Sequence, residues 1–212
     1  MKLVLFGPQG AGKGTQSARI SEKYDIPSIA TGDMFRWAIA HDTEVGHSAQ
    51  QYVERGQFIP NDVTIEIVRS RLEAEDPEKG FLLEGFPRNL VQADALDQYL
   101  REKGLRLDAA VVMEVPEEVS LHRLLGRRVC SNCGRNYHVD SPPSHNWTCD
   151  RCGGLVEKRF DDGADETIKE RLRLYHEQTE PLKAYYESRS MLRTIDGAGS
   201  QDEVFDRIVA SL

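Results

Sequence analysis

Short apolar runs recur along the chain and alternate with longer stretches of helical character. An apolar strand is predicted at residues 3–6, and further strands are predicted at residues 81–84, 109–115 and 192–195. Helices are predicted from about Lys13 and at residues 62–74, 90–103, 117–125, 166–186 and 202–211. Pro181 falls inside the penultimate helix and should kink or break it, because proline lacks the backbone N–H.

This alternation predicts an α/β fold, in which a doubly wound parallel sheet is flanked by helices on both faces. Ligands of such sheets bind at the carboxyl ends of the strands. Two segments, at about residues 30–60 and 126–162, do not follow the alternation. Since both leave the core near the expected ligand edge, we interpret them as inserted mobile covers.

Length, composition and net charge limit the number of domains and the kinds of partner that the chain can have. A chain of 212 residues with 39% hydrophobic content suits one domain that carries insertions. The formal charge of -8 provides no general basic surface, so neither nucleic acid nor membrane is expected as a partner and phosphate binding must be local. The first apolar run is too short for a secretory signal or a membrane span, and a cytoplasmic location is therefore expected.

The stretch "GPQGAGKGT" lies between the first strand and the first helix, which is the context of a phosphate-binding loop. Gly7, Gly10 and Gly12 let backbone N–H groups turn inward, and Lys13 can reach the outer phosphates. Gly14 follows the lysine where the general motif has a hydroxyl residue, so the usual magnesium ligand is displaced to Thr15.

All cysteines of the chain lie in one short segment as two Cys-x-x-Cys pairs, separated by fifteen residues: Cys130, Cys133, Cys149 and Cys152. Two such pairs supply the four thiolates of a closed, structural zinc site, and a reducing compartment disfavours disulfides. The alternative is a set of buried or redox-active thiols. With four sulfurs available, we expect His138 to be a structural neighbour and not a ligand.

Six segments together resemble adenylate kinases of the long, zinc-lidded kind: "GPQGAGKGT", "TGDMFR", "FLLEGFPRNLVQA", "RLLGRRVCSNCG", "RFDD" and "TIKERLRLYHEQTEPL". The resemblance implies a P-loop NTPase-like core at residues 1–29, 61–125 and 163–212. It also implies that residues 30–60 cover the monophosphate and that residues 126–162 form a zinc-stapled lid. The implied reaction is reversible phosphoryl transfer from magnesium-bound ATP to AMP, giving two ADP, by a monomer.

The resemblance also assigns site residues. Those implied for ATP are Gly10, Ala11, Gly12, Lys13, Gly14, Thr15, Arg123 and Arg127. Those implied for AMP are Thr31, Arg36, Gly85, Arg88, Gln92, Arg159 and Arg171. The catalytic set is Lys13, Arg88, Arg123, Arg159 and Arg171. Because the attacking phosphate oxygen is already anionic, this chemistry needs alignment and charge neutralisation more than a general base, and arginine supplies both.

Two positions depart from the family pattern. Glu84 stands where an aspartate is usual, and we expect it to hold magnesium through water together with Thr15. Phe160 replaces a smaller or polar residue and is expected only to pack against the lid. Asp161 and Asp162 resemble carboxylates of the lid hinge, although capping of the following helix is an equal alternative.

Two other functions remain open from the sequence. Asn89 follows Arg88 where uridylate/cytidylate kinases also carry asparagine, so a pyrimidine monophosphate is an alternative acceptor. The four-cysteine segment could instead grip nucleic acid in an ATPase or a regulatory switch. It carries Arg135 and Arg151, but Asp140 and Asp150 offset them, which makes this alternative weak.

Overall fold

The computed structural model describes residues 1–159, 162 and 165–212. Its strands are β1 (Lys2–Phe6), β2 (Ser28–Ala30), β3 (Phe81–Glu84), β4 (Ala109–Glu114), β5 (Arg127–Cys130), β6 (Asn136–His138), β7 (Val156–Glu157) and β8 (Leu192–Asp196). Its helices are α1 (Lys13–Tyr24), α2 (Thr31–Ala40), α3 (Glu44–Glu54), α4 (Asn61–Leu72), α5 (Leu90–Glu102), α6 (Glu117–Gly126), α7 (Asp165–Leu174), α8 (Leu182–Glu187) and α9 (Gln201–Ser211).

Five strands form a parallel sheet in the order β2-β3-β1-β4-β8. The central strand β1 pairs with β3 on one side and β4 on the other. The four predicted strands are confirmed to within one or two residues at each end. Strand β2 was not predicted, because three residues are too few to show a period. The parallel α/β fold predicted from the sequence is confirmed.

Both faces of the sheet are buried at its centre, which explains why β1, β3 and β4 are almost continuously apolar, whereas the edge strand β8 carries polar residues. Leu3 and Leu5 of β1 contribute to a cluster with residues of α1 and α9. Val4 and Phe6 point to the opposite face and contribute to a cluster with residues of α5 and α8. The helices therefore cover the two faces of one sheet, and the carboxyl ends of its strands remain available for ligands.

The predicted helix over residues 166–186 is in fact interrupted. Helix α7 ends at Leu174, a π-helical turn spans Tyr175–Thr179, and α8 begins at Leu182, directly after Pro181. The expected break at Pro181 is confirmed, but the sequence did not predict the π-helical turn. Such turns occur often near functional sites.

The two segments outside the core alternation have their own structure. The first contains α2 and α3, which pack closely at Gly46. The second contains a small antiparallel sheet in the order β6-β5-β7. Phe160 and Asp161 lie outside the described residues. In the described part of the chain, no helix is both long and apolar enough to cross a membrane.

Candidate active site

The glycine-rich loop joins the end of β1 to the first turn of α1. Gly7 has φ 144°, and a Cβ there would lie 2.3 Å from the carbonyl oxygen of Met113, so only glycine lets the loop approach β4 this closely. The N–H of Ala11 donates to the carbonyl of Pro8 at 3.2 Å, which closes the turn. Gly12 is the left-handed N-cap of α1. The loop therefore presents backbone N–H groups and a helix N-terminus to one small space.

Lys13 bends back over this loop. Its Nζ donates to the carbonyls of Gly7 at 2.9 Å and Pro8 at 2.7 Å. Burial lowers the pKa of Lys13 to about 8, although the negative charge of Glu84 opposes this shift. The positive charges that lower this pKa further are those of Arg88, Arg127 and Arg159. Lys13 and three arginines thus lie around one buried space, and this concentration of positive charge favours the binding of phosphate groups.

Glu84 ends β3 beside the phosphate loop. Its Oε2 lies 3.7 Å from the place that a Cβ on Gly14 would occupy, and Nδ2 of Asn136 lies 3.8 Å from the same place. Thr15 is the next residue of that helical turn. The carboxylate, the first turn of α1 and the strand β6 therefore border one space. The sequence did not single out Asn136, because an asparagine in a loop-rich segment carries no distinctive signal.

Arg123 lies on α6 and reaches the other side of the phosphate loop. Its Nη1 donates to the carbonyl of Ala11 at 3.3 Å and to that of Gly197 at 3.2 Å. Desolvation lowers the pKa of Arg123 from its usual value. An arginine held in this way by two carbonyls is positioned next to the loop before any ligand arrives.

Asp162 is a fully buried carboxylate on which three arginines converge. Arg127 donates to it through two nitrogens, Arg159 lies at 3.2 Å and Arg171 at 3.8 Å. Gln9 of the phosphate loop donates to the same carboxylate at 3.2 Å. Of the two sequence interpretations, the burial of Asp162 and its contacts fit a hinge carboxylate better than a helix cap. The sequence predictions for Phe160 and Asp161 lie outside the described residues.

A second group of site residues surrounds the loop after β3. The hydroxyl of Thr31 and Nε of Arg88 both donate to the carbonyl of Gly85, each at 2.8 Å. Thr179, in the π-helical turn, donates to the carbonyl of Arg88 at 2.8 Å. The turn between α7 and α8 therefore supports the backbone that carries Arg88.

Gln92 is buried and its amide is oriented by protein groups. Oε1 accepts from the N–H of Arg88 at 2.8 Å, and Nε2 donates to Oδ1 of Asn61 at 2.9 Å. Asn89 caps α5, since its Oδ1 accepts from the N–H of Gln92, and its Nδ2 also donates to Asn61. Asn89 thus has a structural role that needs no pyrimidine. The sequence did not predict a role for Asn61 in this network, because an asparagine at the start of a helix is common.

Two further arginines predicted for this site lie on the surrounding elements. Arg36 of α2 forms an ion pair with Asp33 one turn earlier. Arg171 of α7 donates from Nη2 to the carbonyl of Val53, in the last turn of α3, at 3.3 Å. Arg171 therefore contacts both the α2–α3 segment and Asp162.

The four cysteines converge as their spacing predicts. Sγ of Cys130 lies 3.5 Å from that of Cys152, and Sγ of Cys133 lies 3.6 Å from that of Cys149. All four sulfurs lie within 4.8 Å of one another. A zinc ion with Zn–S bonds of about 2.3 Å has sulfur separations of about 3.8 Å, whereas a disulfide needs about 2.0 Å. The observed separations therefore fit four thiolates around one tetrahedrally coordinated zinc ion better than disulfides.

The thiols of the cysteine cluster differ in their pKa values. The hydroxyl of Tyr137 lies 3.4 Å from Sγ of Cys149, and this hydrogen bond is the main cause that lowers the pKa of that thiol to about 6. Metal ligation requires the thiolate form. Although a backbone hydrogen bond at Arg135 opposes it, desolvation together with the neighbouring sulfurs raises the pKa of Cys133 to about 12, so the four thiols differ in how readily they lose a proton.

Comparison with known proteins agrees with this geometry. The family model described as adenylate kinase matches residues 5–191. An adenylate kinase of Clostridium tetani is 48% identical over 209 residues, which is 98% of this chain and 96% of the relative. An adenylate kinase of Archaeoglobus fulgidus is 47% identical over 213 residues, covering 100% of this chain and 98% of the relative. With the phosphate loop, the carboxylate at the end of β3 and the cysteine cluster in place, the chain belongs to the adenylate kinase family.

Proposed function

We propose that phosphoryl transfer takes place between the phosphate loop and the loop after β3. Adenylate kinases transfer the terminal phosphoryl group of ATP to AMP and give two ADP, and this chain catalyses that reaction. The observation that carries the location of the site is the cationic space around Lys13, bordered by Arg88, Arg127 and Arg159. A space of this kind suits two polyanions that must approach each other.

In this proposal the phosphate loop and Arg123 hold the ATP phosphates, and Arg88 holds the AMP phosphate opposite them. Each guanidinium offers a planar pair of donors that matches two phosphate oxygens. Arg127, Arg159 and Arg171 turn from Asp162 toward the transferring group when the nucleotides bind. Catalysis then consists of in-line alignment and neutralisation of charge, with no base required.

The choice of AMP as acceptor is proposed to depend on Thr31, Gly85 and Gln92. Gln92 has one N–H of its amide bonded to Asn61 and its oxygen bonded to Arg88, which leaves the other N–H for a base edge. Arg36 and Arg171 complete the acceptor side from α2 and α7.

We expect Arg88→Ala to raise the KM for AMP by about tenfold to a hundredfold and to slow turnover, because a charged double hydrogen bond to phosphate is lost. The KM for ATP should change much less. Steady-state kinetics with each nucleotide varied in turn measures this. Arg106→Ala, at an exposed arginine between α5 and β4, is the matched control. Unchanged AMP kinetics in Arg88→Ala would remove this residue from the acceptor site.

The magnesium of MgATP is proposed to be held through water by Glu84, with Thr15 as the nearest hydroxyl. Glu84→Gln keeps the shape of the side chain but removes its charge, so we expect turnover to need a higher magnesium concentration and to fall. Glu84→Asp should retain substantial activity, because a bridging water can absorb the lost methylene. Magnesium titrations of turnover, with thermal melts to check folding, test this. A parental titration curve for Glu84→Gln would show that the carboxylate does not serve the metal.

Two inserted segments are proposed as moving covers on a core of residues 1–29, 61–125 and 163–212. Residues 30–60 would close over AMP, and residues 126–162 over ATP. Zinc held by Cys130, Cys133, Cys149 and Cys152 would keep the second cover folded. The net charge of -8 argues against nucleic-acid binding, and cysteines paired as metal ligands are typical of a reducing compartment. We therefore propose a cytoplasmic protein that binds no nucleic acid and acts as a monomer.

A coupled assay for ADP formation tests the function as a whole. ATP is supplied with AMP, UMP, CMP or GMP in turn, and DNA and RNA binding are titrated in parallel. Of the four monophosphates, we expect only AMP to give rapid turnover with ATP. We expect no measurable nucleic-acid affinity at physiological salt. Preference for UMP or CMP would overturn the proposed acceptor, and tight nucleic-acid binding without AMP-dependent turnover would overturn the assignment.

A further inference from the structure

Outside the candidate active site, three side chains of types that commonly ligate metals meet where α6 contacts the end of β6 and the residues after it. Nε2 of His122 lies 2.8 Å from Oδ2 of Asp140, and Nδ1 of His138 lies 3.2 Å from the same oxygen. One ligand atom from each residue lies within 4.8 Å of the other two. His122 and Asp140 are two-thirds exposed, so an ion in solution can reach them.

The hydrogen bonds of His138 leave a conflict that a cation would resolve. Its Nδ1 faces a donor, the N–H of Asp140 at 3.1 Å, and also an acceptor, Oδ2 of the same residue at 3.2 Å. Nε2 of the same ring lies 3.3 Å from the carbonyl oxygen of His122 and so carries the proton of the neutral imidazole. Nδ1 is then bare, which suits the N–H of Asp140 but not its carboxylate oxygen. A metal ion placed between Nδ1, Oδ2 and the imidazole of His122 would accept a lone pair from each of them.

The backbone around this cluster is held against α6. The N–H of Val139 donates to the carbonyl of Gly126 at 2.9 Å. A Cβ on Gly126 would lie 2.0 Å from Nε2 of His138, so glycine at the end of α6 makes room for the imidazole. His138 is therefore fixed in place, and His122 and Asp140 need only side-chain rotation to complete a site. Two ligands of one tetrahedral ion lie about 3.4 Å apart, which such rotation can reach.

We propose that His122, His138 and Asp140 form a second metal site, selective for divalent ions of the late first transition series, which clamps the segment after β6 to α6. Two imidazoles and a carboxylate suit nickel, copper or zinc better than magnesium, which prefers oxygen ligands and retains its waters. The site is separate from the four-cysteine cluster in both its ligands and its chemistry. Its effect on catalysis rests on the proposed movement of residues 126–162, since an ion that joins both sides of the hinge restrains that movement.

Nickel binding to the zinc-saturated full chain tests the site. Equilibrium dialysis, with zinc and nickel measured separately, should show one further nickel ion per chain while the zinc content stays unchanged. His122→Ala and Asp140→Asn should each weaken nickel binding by at least about tenfold. His145→Ala removes an exposed histidine of the same segment outside the cluster, and its nickel binding should match the parent. Absence of nickel binding, or equal binding by parent and His122→Ala, would overturn the proposal.

Turnover tests the clamp independently of the site. At fixed excess MgATP, nickel should slow the parent and His145→Ala more than His122→Ala, whose activity without nickel should equal that of the parent. Equal inhibition of all three would mean that nickel acts on the nucleotide, and it would overturn the clamp while the dialysis result still decides the site. The basal assay with AMP contains no nickel, so failure of either part is distinguishable from failure of the proposed kinase function.

Discussion

Replacement of Lys13 with methionine is expected to lower turnover on the order of a hundredfold to a thousandfold, the effect of removing one preorganised charge from the transferring group. In the structure Nζ donates to the carbonyls of Gly7 and Pro8. Its pKa of about 8 still leaves most of the ammonium charged at neutral pH, and bound phosphates favour the charged form further. Methionine has similar length but supplies no charge, so alignment of the outer phosphates is lost.

The same change should not weaken the fold. Burial lowers the pKa of Lys13 below its ordinary value of 10.5, so the charged side chain opposes folding most strongly below about pH 8. That penalty disappears as pH rises from about 8 toward 10.5. Lys13→Met should therefore melt at the same temperature as the parent or higher at pH 7. Lys23→Met, at the exposed end of the same helix, is the matched control and should retain parental turnover.

Kinetics and thermal melts on the three proteins separate a catalytic from a structural role. Near-parental turnover of Lys13→Met, with ATP saturating, would contradict the assignment of the phosphate loop. Low turnover accompanied by a large fall in melting temperature would instead mean that the lysine supports the loop. The parent's own melting profile between pH 7 and 10 provides the reference for the linkage argument.

The core was predictable because its signals are local. A parallel strand covered on both faces is apolar, and β1, β3 and β4 show this in their own few residues. The edge strand β8 contains Arg193, Thr194 and Asp196, and only its Ile195 is buried. Strand β2 contains only three residues, and its pairing with β3 depends on a neighbour about fifty positions away. The π-helical turn likewise depends on a tertiary contact, since Thr179 in this turn donates a hydrogen bond to the backbone carbonyl of Arg88. No local pattern reports either feature.

The candidate site shows the same division. The phosphate loop and the cysteine pairs combine unusual residues at fixed spacing, so their chemistry is visible in the sequence. The role of Asn61 is evident only from the structure, where its side-chain Oδ1 accepts hydrogen bonds from both Asn89 and Gln92. The convergence of Arg127, Arg159 and Arg171 on Asp162 also depends on the path of the chain. Such polar residues acquire their roles only when the chain folds, and no local sequence pattern distinguishes them from other polar residues.

Loss of metal from the four-cysteine cluster is expected to unfold the β5–β7 segment and to leave the parallel sheet intact. The buried apolar side chains of this segment form one small cluster around Cys130, Cys149 and Val156. So small a core cannot offset the conformational entropy of some thirty residues, whereas structural zinc contributes about 10–16 kcal/mol. Chelation should therefore raise amide exchange in β5, β6 and β7 by more than about a hundredfold, with little change in β1 and β4.

Cys133→Ser should reproduce the effect of chelation, because serine removes one thiolate and changes little else. Asn132→Ala, at the exposed neighbouring position, is the control and should exchange like the zinc-loaded parent. Turnover should fall in Cys133→Ser, since the cover proposed for ATP carries Arg127 and Arg159 across the phosphate loop. Equal loss of protection in β1 and β5 would contradict a local role for the metal, because an ion that stabilises only the segment it closes cannot expose the central strand of the sheet.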